Sequence, residues 1–398
     1  MSTEESSREA SPGKLFVPSL ALTSYAEQNL NLFQALFLLD IALTFGVSVG
    51  TASQIAAASA VASMIVGLLM SVLSVRFNQK SLLLAGASII TVGILGCFLA
   101  PSFSYLLIFY PLDGVGSVMA MAMAYALIGR FLPLEKRSRA IGWTQAAASV
   151  TYLIGAPLGS FIVGGAGWRS LLLWFFLPIS IIGLVMAYFS IPSAPAKPQV
   201  SIDKDVYRAS LKSVFLNKSA VACLVCTVLY FSSYIWGIYV TTFYRTRFSI
   251  PLEIAGLLLI GQTLTITIGA IVGGRLTDRI GRKRLAVISA LIASTLLSTF
   301  VFLPSFWLVW PLDMISTFFR GMGGVAGTSL CLEQVPKARG TMMSLTNASG
   351  SLGAAVGIGI GGYVLDQFGF LSLGPMLGAF GIASALFNLL FVVDPYKK

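Results

Sequence analysis

The sequence contains no histidine, and charged residues make up only 10% of its 398 positions. The missing histidine removes the commonest metal ligand and general base. The sequence also has no nucleophile motif, no cluster of metal-ligating residues and no phosphate-binding Gly-Lys-Ser/Thr motif. We therefore expect a protein that is not an enzyme, uses no metal and no cofactor, and is not driven directly by ATP.

Cysteine is scarce, and its positions argue against a disulfide framework. Cys97, Cys223, Cys226 and Cys331 all lie inside apolar runs. Cys223 and Cys226 have the spacing of a redox pair, but small side chains within a membrane-spanning segment are the simpler interpretation.

Polar sequence is scarce as well. Hydrophobic residues make up 56% of the chain, whereas charged residues alone reach about 25% in an ordinary soluble domain. Apolar runs of roughly 20 residues, enough to cross a bilayer as a helix, recur along nearly the whole length. They predict an all-α membrane protein with twelve transmembrane helices. The spans are predicted near 15–39, 51–73, 81–100, 103–130, 139–164, 169–191, 218–244, 253–275, 284–303, 306–332, 340–364 and 370–393.

Basic residues outnumber acidic ones by 26 to 15, and their placement predicts an orientation. Most of them fall in the termini and after even-numbered spans, whereas Arg169, Arg245 and Arg247 lie on the opposite side. Lys and Arg are enriched in cytoplasmic loops. We therefore expect a multi-pass protein of the cell membrane with both termini in the cytoplasm. The basic excess then requires no nucleic-acid partner.

The chain divides into two similar halves. The longest polar interval, 192–217, separates six spans from six, and the polar segment 1–14 lacks the apolar middle of a signal peptide. At one constant offset, residues of the first half recur in the second: Leu73/Leu276, Arg76/Arg279, Lys80/Lys283 and Leu82/Leu285. Internal repeats of this kind are common in transporters. The predicted organisation is a cytoplasmic tail (1–14), a six-helix bundle (15–191), a cytoplasmic linker (192–217), a second six-helix bundle (218–394) and a tail (395–398).

The fuller copy of the repeated stretch, GGRLTDRIGRKRL at 273–285, resembles the signature loop of the major facilitator superfamily. PKARG at 336–340 resembles the matching loop before span 11. GAPLG at 155–159, followed by GWR at 167–169, resembles the twelve-span drug:proton antiporter branch. The resemblance implies two pseudo-symmetric six-helix bundles around a cavity, with spans 1, 4, 7 and 10 lining it. It further implies alternating access, with a small organic substrate, protons and the lipid bilayer as partners, and we expect a monomer.

The loop after span 8 is predicted to be a conformational latch that faces the start of span 5 when the cytoplasmic side is closed. The alternative is that the loop only anchors the topology. Val75 stands where the second copy has Asp278, so the equivalent latch between spans 2 and 11 is expected to be weak. The predicted latch residues are Gly274, Asp278, Arg279, Gly281, Arg282, Arg137 and Arg139.

Glu27, Asp113, Asp313 and Arg320 are predicted to lie inside the membrane. A charged side chain at that depth is costly and usually faces a cavity or a partner. All four fall on spans 1, 4 and 10, which the resemblance assigns to the cavity. These residues are therefore the first candidates for function.

Glu27 is predicted to carry the transported proton. It lies about 12 residues into its span, roughly 18 Å at helical rise, and shares a helical face with Asn31 and Gln34. Burial disfavours the charged form of a carboxyl, so Glu27 can exchange a proton during a cycle. The alternative is a structural hydrogen bond to a neighbouring helix.

Asp113 is a second candidate for proton coupling, with a cation contact and a hydrogen bond between helices as alternatives. Tyr110 stands where many relatives carry Arg, so the family's proton mechanism cannot be transferred at that position. Arg320 could pair with Glu27, attract an anionic substrate, or form a buried ion pair with Asp313. The predicted lining of the substrate cavity is Asn31, Gln34, Tyr230, Tyr234, Trp236, Asp313 and Arg320.

These features predict a secondary active transporter that exports a small organic compound in exchange for protons. Uptake or facilitated diffusion of an organic ion on the same fold is the first alternative. The second is a sensor that transports nothing, whose cavity would be filled by apolar side chains.

Overall fold

The structure is a computed structural model that describes residues 13–192 and 204–394, and within the helices it leaves some side chains undescribed, among them those of Val75 and Asp278. The predicted tails, apart from residues 13 and 14, and residues 193–203 of the predicted linker lie outside the described ranges. The α-helices are α1 (Phe16–Glu27), α2 (Asn29–Phe45), α3 (Val49–Arg76), α4 (Gln79–Leu99), α5 (Phe103–Phe109), α6 (Pro111–Phe131), α7 (Leu134–Ala166), α8 (Trp168–Leu171), α9 (Leu177–Ser190), α10 (Lys204–Leu216), α11 (Lys218–Tyr234), α12 (Trp236–Phe248), α13 (Leu252–Ile280), α14 (Arg282–Phe300), α15 (Phe306–Gln334), α16 (Arg339–Phe368) and α17 (Phe370–Phe391). A π-helical turn at Leu172–Phe176 joins α8 to α9, and a 3-10 turn at Pro336–Ala338 precedes α16.

Each predicted span falls on one helix or on consecutive helices, which confirms the all-α membrane fold with twelve crossings. In the described ranges, nine continuous stretches are long and apolar enough to span a membrane. The three other spans are α1–α2, α7 and α15. Neither α1 nor α2 alone reaches 18 residues, and α15 carries Asp313 and Arg320 within the helix. The first span ends at Phe45 rather than near residue 39.

The two six-helix bundles follow one plan. In the first, α4 packs on α6 and α9, and α1 packs on α7 and α9. In the second, the equivalent helix α14 packs on α15 and α17, and α11 packs on α16 and α17. This repetition of contacts is the pseudo-symmetry that the sequence repeat predicts.

Three of the cavity spans are interrupted midway. Gln28 separates α1 from α2, Tyr110 separates α5 from α6, and Ile235 separates α11 from α12. Pro111 explains the second interruption, because proline has no backbone N–H to continue the helical ladder. Gln28 and Ile235 have ψ values of −7° and −4°, which depart from the regular helical value.

The two ends of the bundle differ in charge. We call the end with Arg137 and the basic segment 279–284 the basic face, and the opposite end the closed face. At the closed face α3 packs on α16, α2 on α12 and α7 on α13. A Cβ added to Gly256 would lie only 2.5 Å from Ser160 Oγ, so α13 and α7 approach closely there.

Polar contacts also join the two halves at the closed face. The Arg245 guanidinium donates to both carboxylate oxygens of Asp40, with one nitrogen–oxygen distance of 2.9 Å. The Asp366 carboxylate accepts from the Gly50 N–H at 2.8 Å and from the Ser48 hydroxyl. These contacts hold the halves together on one side of the molecule.

Part of the predicted linker is helical. α10 packs on α11, α16 and the 3-10 turn, and its Val214 side chain is fully buried. This helix is absent from the sequence prediction, which treats 192–217 only as a polar connection.

Candidate functional site

A cavity of about 500 Å³ lies between the two halves. This volume falls in the range of small-molecule sites. Its polar and aromatic lining comes from both halves: Gln28, Asn31, Gln34, Gln145, Ser149 and Tyr152, facing Tyr234, Trp236, Gln262, Thr263, Thr267, Thr317 and Arg320. We call it the central cavity.

The central cavity includes five of the seven residues predicted from the sequence, namely Asn31, Gln34, Tyr234, Trp236 and Arg320. Gln34 is held in place by its neighbours. The Tyr110 hydroxyl donates to Gln34 Oε1 at 3.1 Å and to the Leu30 carbonyl at 2.7 Å. Tyr110 thus orients a cavity amide.

Tyr230 lines a second cavity, of about 530 Å³, rather than the central one. Its hydroxyl donates to the backbone carbonyl of Arg320. The second cavity extends through the second half to Cys331, Thr346 and Asn388, near the ends of α15, α16 and α17 at the basic face. Arg320 and Tyr234 line both cavities, so the two spaces adjoin at Arg320.

Asp313 lies behind the cavity wall, which differs from the sequence prediction. It is fully buried and accepts hydrogen bonds from Tyr244 Oη at 2.7 Å, Gln262 Nε2 at 2.6 Å and Trp236 Nε1 at 3.2 Å. Two of these donors, Trp236 and Gln262, line the central cavity, so Asp313 fixes the orientation of its wall. The predicted ion pair with Arg320 is not among the salt bridges of the described residues.

Glu27 is almost fully buried beside the central cavity and is not among the residues that line it. Gln28, which does line it, donates from Nε2 to Glu27 Oε1 at 3.4 Å. Glu27 Oε2 has no hydrogen-bond partner among the described residues. The helix break at Gln28 explains the difference from the sequence prediction, because it places Gln28 with Asn31 and Gln34 on the cavity side.

Asp113 lies in the first turn of α6 and is also buried. Its Oδ1 atom has no hydrogen-bond partner within the described part of the chain, and its charge interacts with that of Glu27. The Ser117 hydroxyl donates to the Glu27 carbonyl at 3.3 Å and ties α6 to the break in the first span. The first half therefore contains two neighbouring buried acids, each with an unpartnered oxygen, which we call the acid pair.

A further polar contact lies at the wall of the central cavity. Gln145, which lines the cavity, donates from Nε2 to the Tyr125 hydroxyl at 2.6 Å. Sequence reasoning missed Gln28, Gln145 and Gln262. A signal for them exists in the sequence, because each is a polar residue in an otherwise apolar span. The sequence prediction, however, was based mainly on the charged residues.

The predicted latch residues lie at the basic face, and two of them, Arg137 and Arg282, make side-chain contacts within their own halves. Arg137 Nε donates to the Leu132 carbonyl at 2.8 Å, and Arg282 Nη1 lies 3.7 Å from Glu333 Oε1. Arg139 and Arg279 are exposed. The side chain of Asp278 lies outside the described residues, so the predicted latch stays a prediction.

The glycines of the latch differ in what they permit. Gly281 has a φ of +94°, which favours glycine, at the junction of α13 and α14. A Cβ added to Gly274 would meet nothing within 4 Å. Its neighbour Gly273 is the one that allows close approach, because a Cβ there would lie 2.8 Å from Met322 Cα.

Comparison with known proteins agrees with this architecture. The family profile of the Major Facilitator Superfamily matches residues 19–261 and 221–398. The chain is 25% identical to the "Probable sugar efflux transporter" of Helicobacter pylori, over 100% of both chains. It is 23% identical to the "Purine ribonucleoside efflux pump NepI" of Salmonella paratyphi B, over 88% of this chain and 86% of that one.

Solved structures share the fold at low sequence identity. A mutant of the nucleoside transporter NupG superposes with a TM-score of 0.79 at 12% identity, covering 94% of this chain and 99% of that one. The D-xylose-proton symporter gives the same TM-score of 0.79 at 17% identity, covering 96% and 99%. With a family profile that matches nearly the whole length, the chain belongs to the Major Facilitator Superfamily and is a multi-pass membrane transporter, not an enzyme.

Proposed function

We propose that the protein exports a small organic compound by alternating access and that the acid pair of Glu27 and Asp113 carries protons in the opposite direction. The observation that carries this proposal is the position of the acid pair. It is buried, it has unpartnered oxygens, and it reaches the central cavity through Gln28.

Burial gives the acid pair its proposed role. An ionised carboxylate without hydrogen-bond donors is costly in an apolar surrounding, whereas the protonated form is not. Two neighbouring acids also disfavour simultaneous ionisation. The acid pair therefore takes up a proton when one face is open and releases it when water enters from the other.

Gln28 links the acid pair to the substrate site. Its amide lines the central cavity and donates to the Glu27 carboxylate. A substrate that takes this hydrogen bond removes a donor from Glu27, which changes the affinity of the carboxylate for a proton. Substrate binding and proton binding are therefore linked through Gln28.

The contacts between the halves support alternating access. The halves meet at the closed face, and the second cavity extends toward the basic face. With the basic face in the cytoplasm, as the positive charges favour, this conformation receives substrate from the cytoplasm. The transporter then exports it after the Asp40–Arg245 pair opens.

Two further points favour export. The curated relatives described above are named as a sugar efflux transporter and a purine ribonucleoside efflux pump. The GAPLG segment at 155–159 also resembles the antiporter branch. In the structure its glycines serve packing, since a Cβ on Gly155 would lie 2.9 Å from Leu32 Cδ2.

Reconstitution tests the proposal. Purified protein in liposomes that contain a pH-sensitive dye is exposed to inosine, D-xylose and benzoate in turn. We expect at least one compound to drive proton movement, and we expect Glu27→Gln to abolish it while exchange of the labelled compound survives. Glu135→Gln, an exposed acid at the basic face, serves as the matched control.

Four outcomes would contradict parts of the proposal. If Glu27→Gln moves protons normally, Asp113 becomes the candidate for the coupling role. If Asp113→Asn also moves protons normally, the acid pair does not carry the protons. Transport without proton movement favours facilitated diffusion. Binding without transport favours a sensor, although the open, polar lining of the central cavity argues against one.

A further inference from the structure

Arg320 presents a positive charge at the junction of the two cavities, and the salt bridges of the described residues do not include it. The residue is only 7% exposed, yet it lines both spaces. Its Nη2 atom has no hydrogen-bond partner among the described residues. The residues that line the two cavities include no aspartate and no glutamate.

Asp313, the nearest acid of its own helix, forms no salt bridge with Arg320 within the described part of the chain. The Asp313 carboxylate takes its hydrogen bonds from the neutral donors Tyr244, Gln262 and Trp236, and the described salt bridges do not include Arg320. Buried charges are normally paired, because burial removes the water that would stabilise them. Since no acid of the described residues lines either cavity, no carboxylate of the cavity lining faces the guanidinium.

The acid pair does not supply that anion in this conformation. Glu27 is in the opposite half, behind Gln28, and Asp113 is buried beside it in α6. Neither lines the central cavity. The two acids of the acid pair and the Arg320 guanidinium thus occupy different places. The position in front of Arg320 is left for the substrate.

We propose that the transported compound is an organic monoanion whose carboxylate binds Arg320. A planar carboxylate matches the two parallel N–H donors of a guanidinium. One cation compensates one negative charge, and the rest of the compound contacts the amides of Gln28 and Gln262 and the indole of Trp236. This inference rests on the proposed transport function, and it separates the protein from carriers of neutral sugars and nucleosides.

Matched probes test the charge of the substrate independently of its identity. Two sets of equal shape are used: benzoate, benzamide and benzylamine, and indole-3-acetate, its amide and tryptamine. Their binding to the full-length protein in detergent is measured by isothermal titration and by the shift in melting temperature. We expect the acid of at least one set to bind at least tenfold more tightly than its amide and its amine, on the order of a charge-assisted contact.

Variants of Arg320 assign the effect to its guanidinium. Arg320→Gln should weaken binding of the acid by roughly 10- to 100-fold, and Arg320→Lys should retain part of it. Arg247→Gln removes a positive charge from an exposed position and should change nothing. The melting temperature of each variant without probe reports whether it is folded, and Arg320→Lys supplies the comparison if Arg320→Gln is not.

The proposal is overturned if no acid binds, if the amide or amine binds as tightly as the acid in both sets, or if Arg320→Gln leaves acid binding unchanged. Proton movement in liposomes separates this failure from failure of the transport proposal. Acid binding that depends on Arg320 but moves no protons leaves the substrate class intact and contradicts proton coupling. Proton movement that a neutral compound drives in Arg320→Gln contradicts the proposed substrate class and leaves proton coupling intact.

Discussion

Asp40→Asn tests whether the closed face is held by the ion pair between the halves. Arg245 in α12 bonds both carboxylate oxygens of Asp40 in α2. A bidentate, charge-assisted contact is worth roughly 1.5–3 kcal/mol. The side chains of Arg245 and Asp40 are 15% and 25% exposed, and solvent screening lowers the value to about 1–2 kcal/mol.

This free energy favours the conformation described here over the one that opens the closed face. Removing it should shift the equilibrium between the two conformations by a factor of roughly 5–30. The Asp366 contacts with Ser48 and Gly50 remain, so the closed face should open more often without staying open permanently.

Spin labels report this shift. Leu43 and Thr246 are exposed positions on α2 and α12 near the pair, and the four native cysteines are buried, so introduced cysteines are labelled selectively. Double electron–electron resonance on the labelled protein should show a growing population at the longer distance in Asp40→Asn. Glu253→Gln removes an acid from the same face away from the pair and is the matched control.

A double-mutant cycle gives the refuting result. If the ion pair is the cause, Arg245→Gln added to Asp40→Asn should change the distances little further. Unchanged distances in Asp40→Asn, or effects of the two substitutions that simply add, would show that helix packing alone closes this face.

Two further predictions concern the latch and the cavity wall. Asp278→Asn should increase the population open at the basic face and slow transport without abolishing substrate binding, whereas Val75→Asp should act in the opposite direction. Distances between spin labels on the basic ends of the two halves measure both population shifts. Unchanged distances in Asp278→Asn would show that the loop only anchors the topology. Asp313→Ala should lower the melting temperature more than Asp313→Asn, because alanine leaves the buried donors of Trp236 and Tyr244 without an acceptor, at about 1–3 kcal/mol each. Equal melting temperatures would show that water replaces the carboxylate.

The membrane spans and the repeat could be predicted from the sequence because they depend on properties that act locally. An apolar run of sufficient length must cross the bilayer as a helix, whatever surrounds it. The ends of most spans were therefore predicted to within a few residues. The first span is the exception: its end is predicted near residue 39, but the helix continues to Phe45, and the charge of Asp40 is paired by Arg245.

The partners of the buried polar residues could not be predicted, because they come from other helices. Asp313 was predicted to face the cavity, and only the packing of α12 and α13 against α15 brings Trp236, Tyr244 and Gln262 to its carboxylate. The prediction that Glu27 shares a helical face with Asn31 and Gln34 likewise assumes an unbroken helix, whereas the structure interrupts the helix at Gln28.

The sequence by itself determined the number of crossings, the twofold repeat and the presence of four charges at membrane depth, since these follow from hydropathy along the chain. The tertiary structure decided what each charge does. The break at Gln28 places Glu27 beside the cavity, and the crossing of helices encloses Asp313 among donors. Arg320 alone among the four faces the open space. Burial and pairing depend on which residues are neighbours in space, and the order of residues along the chain does not specify those neighbours.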